Sequence, residues 1–161
     1  MTLWESFLEM ISDKNNLADY KTYYSAIVQW TKERINLFTD KIIEDNDFNL
    51  LLNLDINEYV IDNPEICLET EYERLKKLNL NTRSLVAMFI SDTLREMVTL
   101  KSGIDCPNCK YNEMSFYIAE IYSEKRIIMI CDVCGWCDNE NNEHIKNILP
   151  ASKNELRKFN T

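Results

Sequence analysis

Glycine and proline are scarce in this sequence. The 161 residues include 2 glycines and 3 prolines, too few for a disordered or loop-dominated chain. Phosphate-binding loops with repeated glycines are also excluded, because Gly103 and Gly135 lie 32 positions apart. The frequent Leu, Ile, Glu and Lys residues favour helices instead.

Histidine and long apolar segments are rare as well. His144 is the single histidine, so the common histidine-based catalytic arrangements have little support, and the His-x-Glu part of the zinc-deaminase signature is missing. No run approaches the roughly 18 apolar residues of a membrane span. The start, MTLWESFLEM, has two acids and no basic residue, unlike a secretory signal. We therefore expect a cytoplasmic protein that has no membrane segment and is not an enzyme.

Basic residues are absent between Ile42 and Tyr72, where nine acidic residues occur. The net charge of the whole chain is −9. A surface of this charge repels nucleic acids and anionic membranes and attracts basic proteins. An acidic segment that serves only solubility is the alternative, and it stays open. The candidate partner-binding residues are Glu44, Asp45, Asp47, Asp55, Glu58, Asp62, Glu65 and Glu69.

The N-terminal part of the chain predicts four or five packed helices. The first begins with a capping box at Thr2–Glu5, and the second covers residues 17–43, where apolar side chains recur at helical spacing. The dipeptide at 63–64, Asn-Pro, predicts another helix start. The last helix of this region begins near residue 81 and ends at Gly103, since glycine readily adopts the left-handed conformation that closes a helix.

Beyond Gly103 the pattern becomes that of β-strands. Residues 114–122 and 126–130 are rich in β-branched and aromatic side chains, and the three residues 123–125 between them predict a hairpin turn. A second capping box at Ser152–Glu155 predicts a short final helix. The fold class is therefore α+β and mostly α. We expect a helical domain over residues 1–102 and a small antiparallel β module with a C-terminal helix over residues 103–161.

Two CxxC pairs carry the clearest chemical signal. Two intervening residues allow both sulfurs of a pair to reach one ion, and the predicted hairpin brings the second pair opposite the first. In a chain without a secretion signal, this pattern favours metal and reduced thiols over disulfides. Four thiolates complete a tetrahedral shell with no position for water, as in structural zinc sites. The predicted Zn²⁺ ligands are Cys106, Cys109, Cys131 and Cys134.

Residues 104–137 resemble the zinc-ribbon family. The resemblance lies in a CPxC sequence at Cys106–Cys109 and a CxxCG sequence at Cys131–Gly135, on either side of the predicted hairpin. It implies a structural zinc ion held by these two knuckles. Lys110 departs from the family pattern, because many members have glycine at this position.

Three further residues have less specific chemistry. Cys137 lies three residues beyond Cys134 and is an alternative ligand, a redox partner or a packing residue, of which packing is favoured. Cys67 is predicted on a buried helix face. Because four cysteines already fill the metal shell, we expect His144 to lie exposed at a loop end.

The size, acidity and missing active site make the chain loosely similar to bacterial toxin-immunity proteins. That resemblance implies an inhibitor that neutralises a basic, nuclease-like toxin domain by covering its active site with an acidic surface. A zinc-ribbon nucleic-acid-binding or transcription-associated protein is the alternative. Residues 103–161 contain seven basic and nine acidic side chains, so phosphate neutralisation would be weak and the inhibitor hypothesis is favoured.

Overall fold

The computed structural model describes residues 1–139 and 144–159. It confirms the α+β, mostly α, fold class, with N-terminal helices, an antiparallel sheet and a short C-terminal helix. No helix in these ranges combines the length and the apolar character needed to cross a membrane. The α-helices are α1 (Leu3–Ser12), α2 (Tyr20–Glu33), α3 (Asp40–Asp45), α4 (Phe48–Leu51), α5 (Glu71–Leu75), α6 (Arg83–Val98) and α7 (Lys153–Phe159). The strands are β1 (Lys101–Asp105), β2 (Glu113–Ile121), β3 (Glu124–Ile130) and β4 (Ile145–Pro150).

The chain divides into two compact units. The first unit consists of Met1–Leu54 and Ile61–Met97, and the second of Asp55–Val60 and Val98–Thr161. The segment Asp55–Val60 therefore belongs with the strands, although it lies inside the range 1–102 expected for the helical domain. Its side chains explain this membership, because the buried Tyr59 hydroxyl donates to the Pro150 carbonyl oxygen at 3.4 Å within the second unit.

An aromatic cluster forms part of the core of the first unit. Trp4 stacks on Phe7 with ring centroids 5.1 Å apart, and Phe7 meets Trp30 edge to face at 5.2 Å. Such pairs contribute about 0.5–1.5 kcal/mol each beyond the burial of their area. The capping box predicted at the start of α1 is confirmed. The Thr2 side chain accepts from the Glu5 N–H, and the Glu5 side chain accepts from the Thr2 N–H.

The single long helix predicted over residues 17–43 is wrong. α2 ends at Glu33, a 3-10 turn covers Ile35–Leu37, and α3 begins at Asp40. The Asp19 side chain accepts from the Thr22 N–H at the start of α2, and the Thr39 side chain accepts from the Ile42 N–H at the start of α3. Apolar spacing continues across these caps, so the periodicity did not reveal the interruption.

The helix start predicted at 63–64 is also wrong. The Asn63 side chain accepts from the Glu65 N–H at 3.1 Å within a turn, and the next helix is α5. Cys67 consequently lies outside any helix and is exposed rather than buried. An asparagine cap and an Asx turn use the same side-chain bond, which is why the dipeptide was ambiguous.

The strands form an antiparallel sheet centred on β2. β3 pairs along one edge of β2, whereas β1 and β4 pair with successive parts of it. The connection from β2 to β3 is a two-residue turn, Tyr122–Ser123, and not the predicted residues 123–125. Both turn residues have positive φ, 50° and 65°, the conformation whose twist matches a hairpin of this length.

Two predictions at the ends of the sheet had different outcomes. Gly103 has the expected left-handed conformation, with φ 77°, but it lies in β1, where the pairing with β2 is irregular, because α6 already ends at Val98. The second capping box is confirmed, since Ser152 and Glu155 exchange hydrogen bonds of 2.8 and 3.1 Å ahead of α7.

Candidate metal centre

The first knuckle, residues 106–110, is a tight backbone turn at the end of β1. The Lys110 N–H donates to the Cys106 carbonyl oxygen at 3.0 Å, and the Cys106 N–H donates to the Asn112 carbonyl oxygen at 2.8 Å. Lys110 has a φ of 59°. The conformation that favours glycine is therefore adopted here by lysine.

The second knuckle, residues 131–135, follows β3 and repeats the same turn. The Gly135 N–H donates to the Cys131 carbonyl oxygen at 2.8 Å, and the Cys131 N–H donates to the Trp136 carbonyl oxygen at 2.8 Å. Gly135 has a φ of 75°. Both knuckles thus end in a left-handed residue one position after their second cysteine.

The two knuckles bring four sulfur atoms together. All four lie within 4.8 Å of one another, and the sulfurs of Cys106 and Cys134 are 3.6 Å apart, as are those of Cys109 and Cys131. Thiolates at about 2.3 Å from one tetrahedral ion are separated by about 3.8 Å, so the cluster has the size of such a site. The sulfurs are too far apart for a disulfide, whose bond length is about 2.05 Å.

Burial of the four thiols differs. Cys106 and Cys131 are buried against Met114, whereas Cys109 is half-buried and Cys134 is exposed. The donor set consists of sulfur alone, which suits a soft or borderline metal ion. These four cysteines can therefore bind one metal ion in a closed shell, with an apolar inner side and a solvent-facing outer side.

The local environment shifts the thiol pKa values of Cys134 and Cys109 in opposite directions. The pKa of Cys134 is lowered to about 6, first by the Asn108 side-chain amide and then by the Trp136 backbone N–H. For Cys109, the Tyr111 backbone N–H lowers the pKa, but desolvation and hydrogen bonds with the other three thiols outweigh it and raise it to about 11. Since metal ligands are thiolates, Cys134 is better prepared than Cys109 to bind a metal ion at neutral pH.

Cys137 and His144 lie outside the sulfur cluster. Cys137 packs against the apolar side chains of the sheet, including Ile128, and pairs with Ile130 in an isolated β-bridge. His144 is exposed, and its ring lies 4.5 Å from that of Tyr122. These positions agree with the packing role expected for Cys137 and with the exposure expected for His144; the loop that would precede His144 lies outside the described residues.

Two of the acidic candidates in the first unit have internal partners. Asp45 forms an ion pair with Lys41 at 2.8 Å, one helical turn away on α3. Asp47 forms an ion pair with Arg95 of α6. These carboxylates are partly neutralised within the fold, which reduces the charge they present to a partner.

Two other candidates belong to the second unit. The Asp55 side chain accepts from the Asn57 N–H at 3.1 Å, and the Glu58 side chain accepts from the Asn154 N–H at 3.2 Å at the start of α7. The eight carboxylates are therefore divided between the two units, although they are close in sequence.

The remaining four candidates keep free carboxylates. Within residues 1–139 and 144–159, no hydrogen bond or ion pair joins their side chains to another residue, and all four are exposed. All four belong to the first unit, and three of them lie within the segment 61–70. The four residues are Glu44, Asp62, Glu65 and Glu69.

A groove between α1 and α2 adds acidic residues that the sequence did not single out. Its volume is about 440 Å³, and its lining includes Glu9, Asp13 and Glu33. Arg34 lies over the Trp30 ring at 4.8 Å and contacts Glu33 at 3.4 Å. These acids belong to different elements, so only the packing of α1 on α2 brings them to one groove.

Comparison with protein-family models, with curated proteins and with solved structures found no match to this chain. The similarity to toxin-immunity proteins therefore gains no support from relatives. The similarity to zinc ribbons rests on features of the chain itself, namely two matching knuckles and four clustered sulfurs beside an antiparallel hairpin.

Proposed function

We propose that this chain is a non-enzymatic, zinc-stabilised protein that binds a basic protein partner. In its most specific form, the proposal is an immunity-like inhibitor that covers the active site of a nuclease-like toxin. The observation that carries it is the group of exposed carboxylates at Asp62, Glu65 and Glu69, which have no partner among the described residues. Charges left unpaired by the fold remain available to an external cation.

Zinc is the metal we propose for the sulfur cluster. The four thiolates of Cys106, Cys109, Cys131 and Cys134 would complete its tetrahedral shell, so the ion would supply folding free energy rather than a reactive water. Structural zinc contributes on the order of 10 kcal/mol to small modules that otherwise lack a sufficient core. Iron also binds four cysteines, so elemental analysis of the purified chain decides between the two metals.

Electrostatic attraction is the proposed first step of partner binding. A chain with a net charge of −9 raises the rate at which a cationic protein meets it, and this effect weakens with salt. The groove between α1 and α2 supports the proposal, because Glu9 and Asp13 add carboxylates that can accept lysine or arginine side chains, whereas Glu33 already pairs with Arg34. Blocking of the partner's active site then requires no reactive group on this chain.

A capture experiment tests the proposed function. The full chain is immobilised and incubated at low salt with a lysate of its host. It should retain a basic protein, which mass spectrometry identifies. The variant Asp62→Asn, Glu65→Gln, Glu69→Gln should lose that protein. A control with the same net charge, Asp40→Asn, Asp105→Asn, Glu124→Gln, removes exposed carboxylates elsewhere and should retain it.

Two outcomes would contradict this proposal. Equal retention by both variants would exclude the segment 61–70 as the contact surface. Capture that disappears after nuclease treatment would favour the nucleic-acid-binding alternative. The inhibitor form of the proposal further requires that the captured protein lose its own activity when the chain is added.

A further inference from the structure

Asp132 lies inside the second knuckle, and its carboxylate accepts three hydrogen bonds from the sheet. Ser115 Oγ donates to Oδ2 at 2.6 Å, and the Tyr117 hydroxyl donates to Oδ1 at 2.5 Å. Lys101 Nζ reaches Oδ2 at 3.2 Å and Ser115 Oγ at 3.1 Å. The knuckle is thereby attached to both β1 and β2.

The strand register explains why these side chains meet. Ser115 and Tyr117 are two residues apart on β2 and therefore face the same side of the sheet. Lys101 is the cross-strand partner of Ser115 on β1, and Ile130 is its partner on β3. Since Asp132 follows Ile130 by two residues, its carboxylate lies at the end of β3 beside all three donors.

Burial makes this network structural rather than reactive. Ser115 is fully buried and Tyr117 is 8% exposed, so no substrate reaches the serine hydroxyl. The Asp132 side chain is 28% exposed. Hydrogen bonds to a carboxylate are roughly twice as strong as those between neutral groups, and here both donors are hydroxyls of buried residues.

The first knuckle has no comparable attachment. Among the described residues, the side-chain hydrogen bonds of residues 106–110 involve only sulfurs of the cluster, including that from Asn108 Nδ2 to Cys134 Sγ at 3.5 Å. These bonds lead to the second knuckle and not to the sheet. Cys106 is buried against Met114 of β2, but only the second knuckle is joined to the strands by side-chain hydrogen bonds to a carboxylate.

We propose that Asp132 holds the second knuckle in its metal-binding geometry before metal arrives. Cys131 and Cys134 then form a half-site that the sheet orients directly, and Cys106 and Cys109 would supply the other two thiolates. Ser115, Tyr117 and Asp132 are positioning residues that raise metal affinity without touching the metal. This inference rests on the proposed zinc site.

Metal affinity in the full chain provides the first test. Competition with a chromophoric chelator for Zn²⁺ should show binding weakened about 10–100-fold in Asp132→Asn and Tyr117→Phe, as for other residues that orient metal ligands. The Co²⁺ spectrum should keep its four-thiolate form, because the ligands are unchanged. Glu124→Gln is the control, since it removes a carboxylate that binds Arg126 at the other end of β3, and its affinity should equal that of the wild type.

Hydrogen exchange in the metal-free full chain provides the second test. The Gly135 amide, which donates within the second knuckle, should exchange more slowly than the Lys110 amide, which makes the equivalent bond in the first knuckle. Tyr117→Phe, which removes a single hydroxyl, should reduce that difference. This measurement does not depend on metal binding or on complete loss of folding.

The inference would be overturned by equal exchange of the two amides in the wild type. Unchanged metal affinity in both Asp132→Asn and Tyr117→Phe would also overturn it. A wild-type chain that binds neither Zn²⁺ nor Co²⁺ would instead contradict the proposed zinc site, and the titration of the wild type reveals this before any variant is compared.

Discussion

At the scale of single residues, Lys110 and Gly135 occupy the same position in the two knuckles. Both have positive φ, 59° and 75°, a conformation that costs a residue with a side chain roughly 1–2 kcal/mol. The first knuckle therefore tolerates a strained lysine where the second has the residue that suits the turn.

Exchange of these residues should change stability in opposite directions. We expect Lys110→Gly to raise the free energy of unfolding by up to about 1 kcal/mol, because the loss of backbone strain exceeds the added freedom of the unfolded chain. Gly135→Ala should lower it by about 1 kcal/mol, although a Cβ at Gly135 meets nothing within 4 Å. Urea unfolding with Zn²⁺ present measures both, and a stabilising Gly135→Ala would contradict the backbone explanation.

Glu71 is a second residue that lowers the stability of the fold, because its carboxylate is buried. Its side chain is fully buried, and one of its carboxylate oxygens has no hydrogen-bond partner. Desolvation raises the pKa of Glu71 and outweighs the hydrogen bond and attraction from Arg74, which lower it. The ion pair with Arg74 therefore does not fully compensate for burying the charge.

The raised pKa of Glu71 predicts the sign of a pH effect. Between its ordinary value of 4.5 and its higher folded value, the folded state binds more protons than the unfolded state. Its contribution to stability is thus present at low pH and decreases as pH rises through this window. Glu71→Gln should lack this decrease, so the wild type should lose stability relative to the variant as the pH rises above 4.5. Urea unfolding at several pH values tests this, and parallel curves would contradict it.

At the scale of elements, the sequence predicted the helix starts that have a capping box. It did not predict the break that separates α2 from α3. The capping boxes at Thr2 and Ser152 are local patterns of four residues, and both form. The break between α2 and α3 depends on Thr39, whose cap competes with a continuous apolar pattern. The cap at Thr39 favours a new helix start, whereas the apolar periodicity favours one continuous helix over residues 17–43. The cap prevails in the structure.

The turn between β2 and β3 is a second element with atypical residues. Tyr122 and Ser123 adopt positive φ where asparagine and glycine are usual. Ser123→Gly should therefore raise the free energy of unfolding by about 0.5–1 kcal/mol, because it relieves strain and leaves the contact of Tyr122 with His144 in place. Ser123→Ala, which keeps a Cβ, is the control and should give no such gain in thermal unfolding.

At the scale of the whole molecule, two units have separate cores. The first is centred on buried aromatic side chains such as Phe7 and Trp30, and the second on the sheet and the sulfur cluster. Only the second unit contains candidate metal ligands among the described residues. The two units should therefore respond differently to metal removal.

Chelation should destabilise the second unit selectively. We expect strong chelators to abolish hydrogen-exchange protection at Cys106 and Lys110, while the helical circular dichroism of α1, α2 and α6 persists, because local opening follows the weakest part of a structure. Zn²⁺ addition under reducing conditions should restore protection. Loss of the helical signal at the same chelator concentration would show that both units depend on the metal.

The sequence by itself determined the cluster of four cysteines and the fold class. Each cysteine pair is local, the pairs are joined by one hairpin, and strand or helix character follows from patterns a few residues long. Tertiary structure decided which charges remain free, since Asp47 meets Arg95 and Glu58 meets the start of α7 only after distant segments pack. The same holds for Asp132, whose three donors come from residues 15 to 31 positions away. Contacts over such distances depend on strand register, and register depends on turn geometry, which the sequence pattern placed wrongly at residues 123–125.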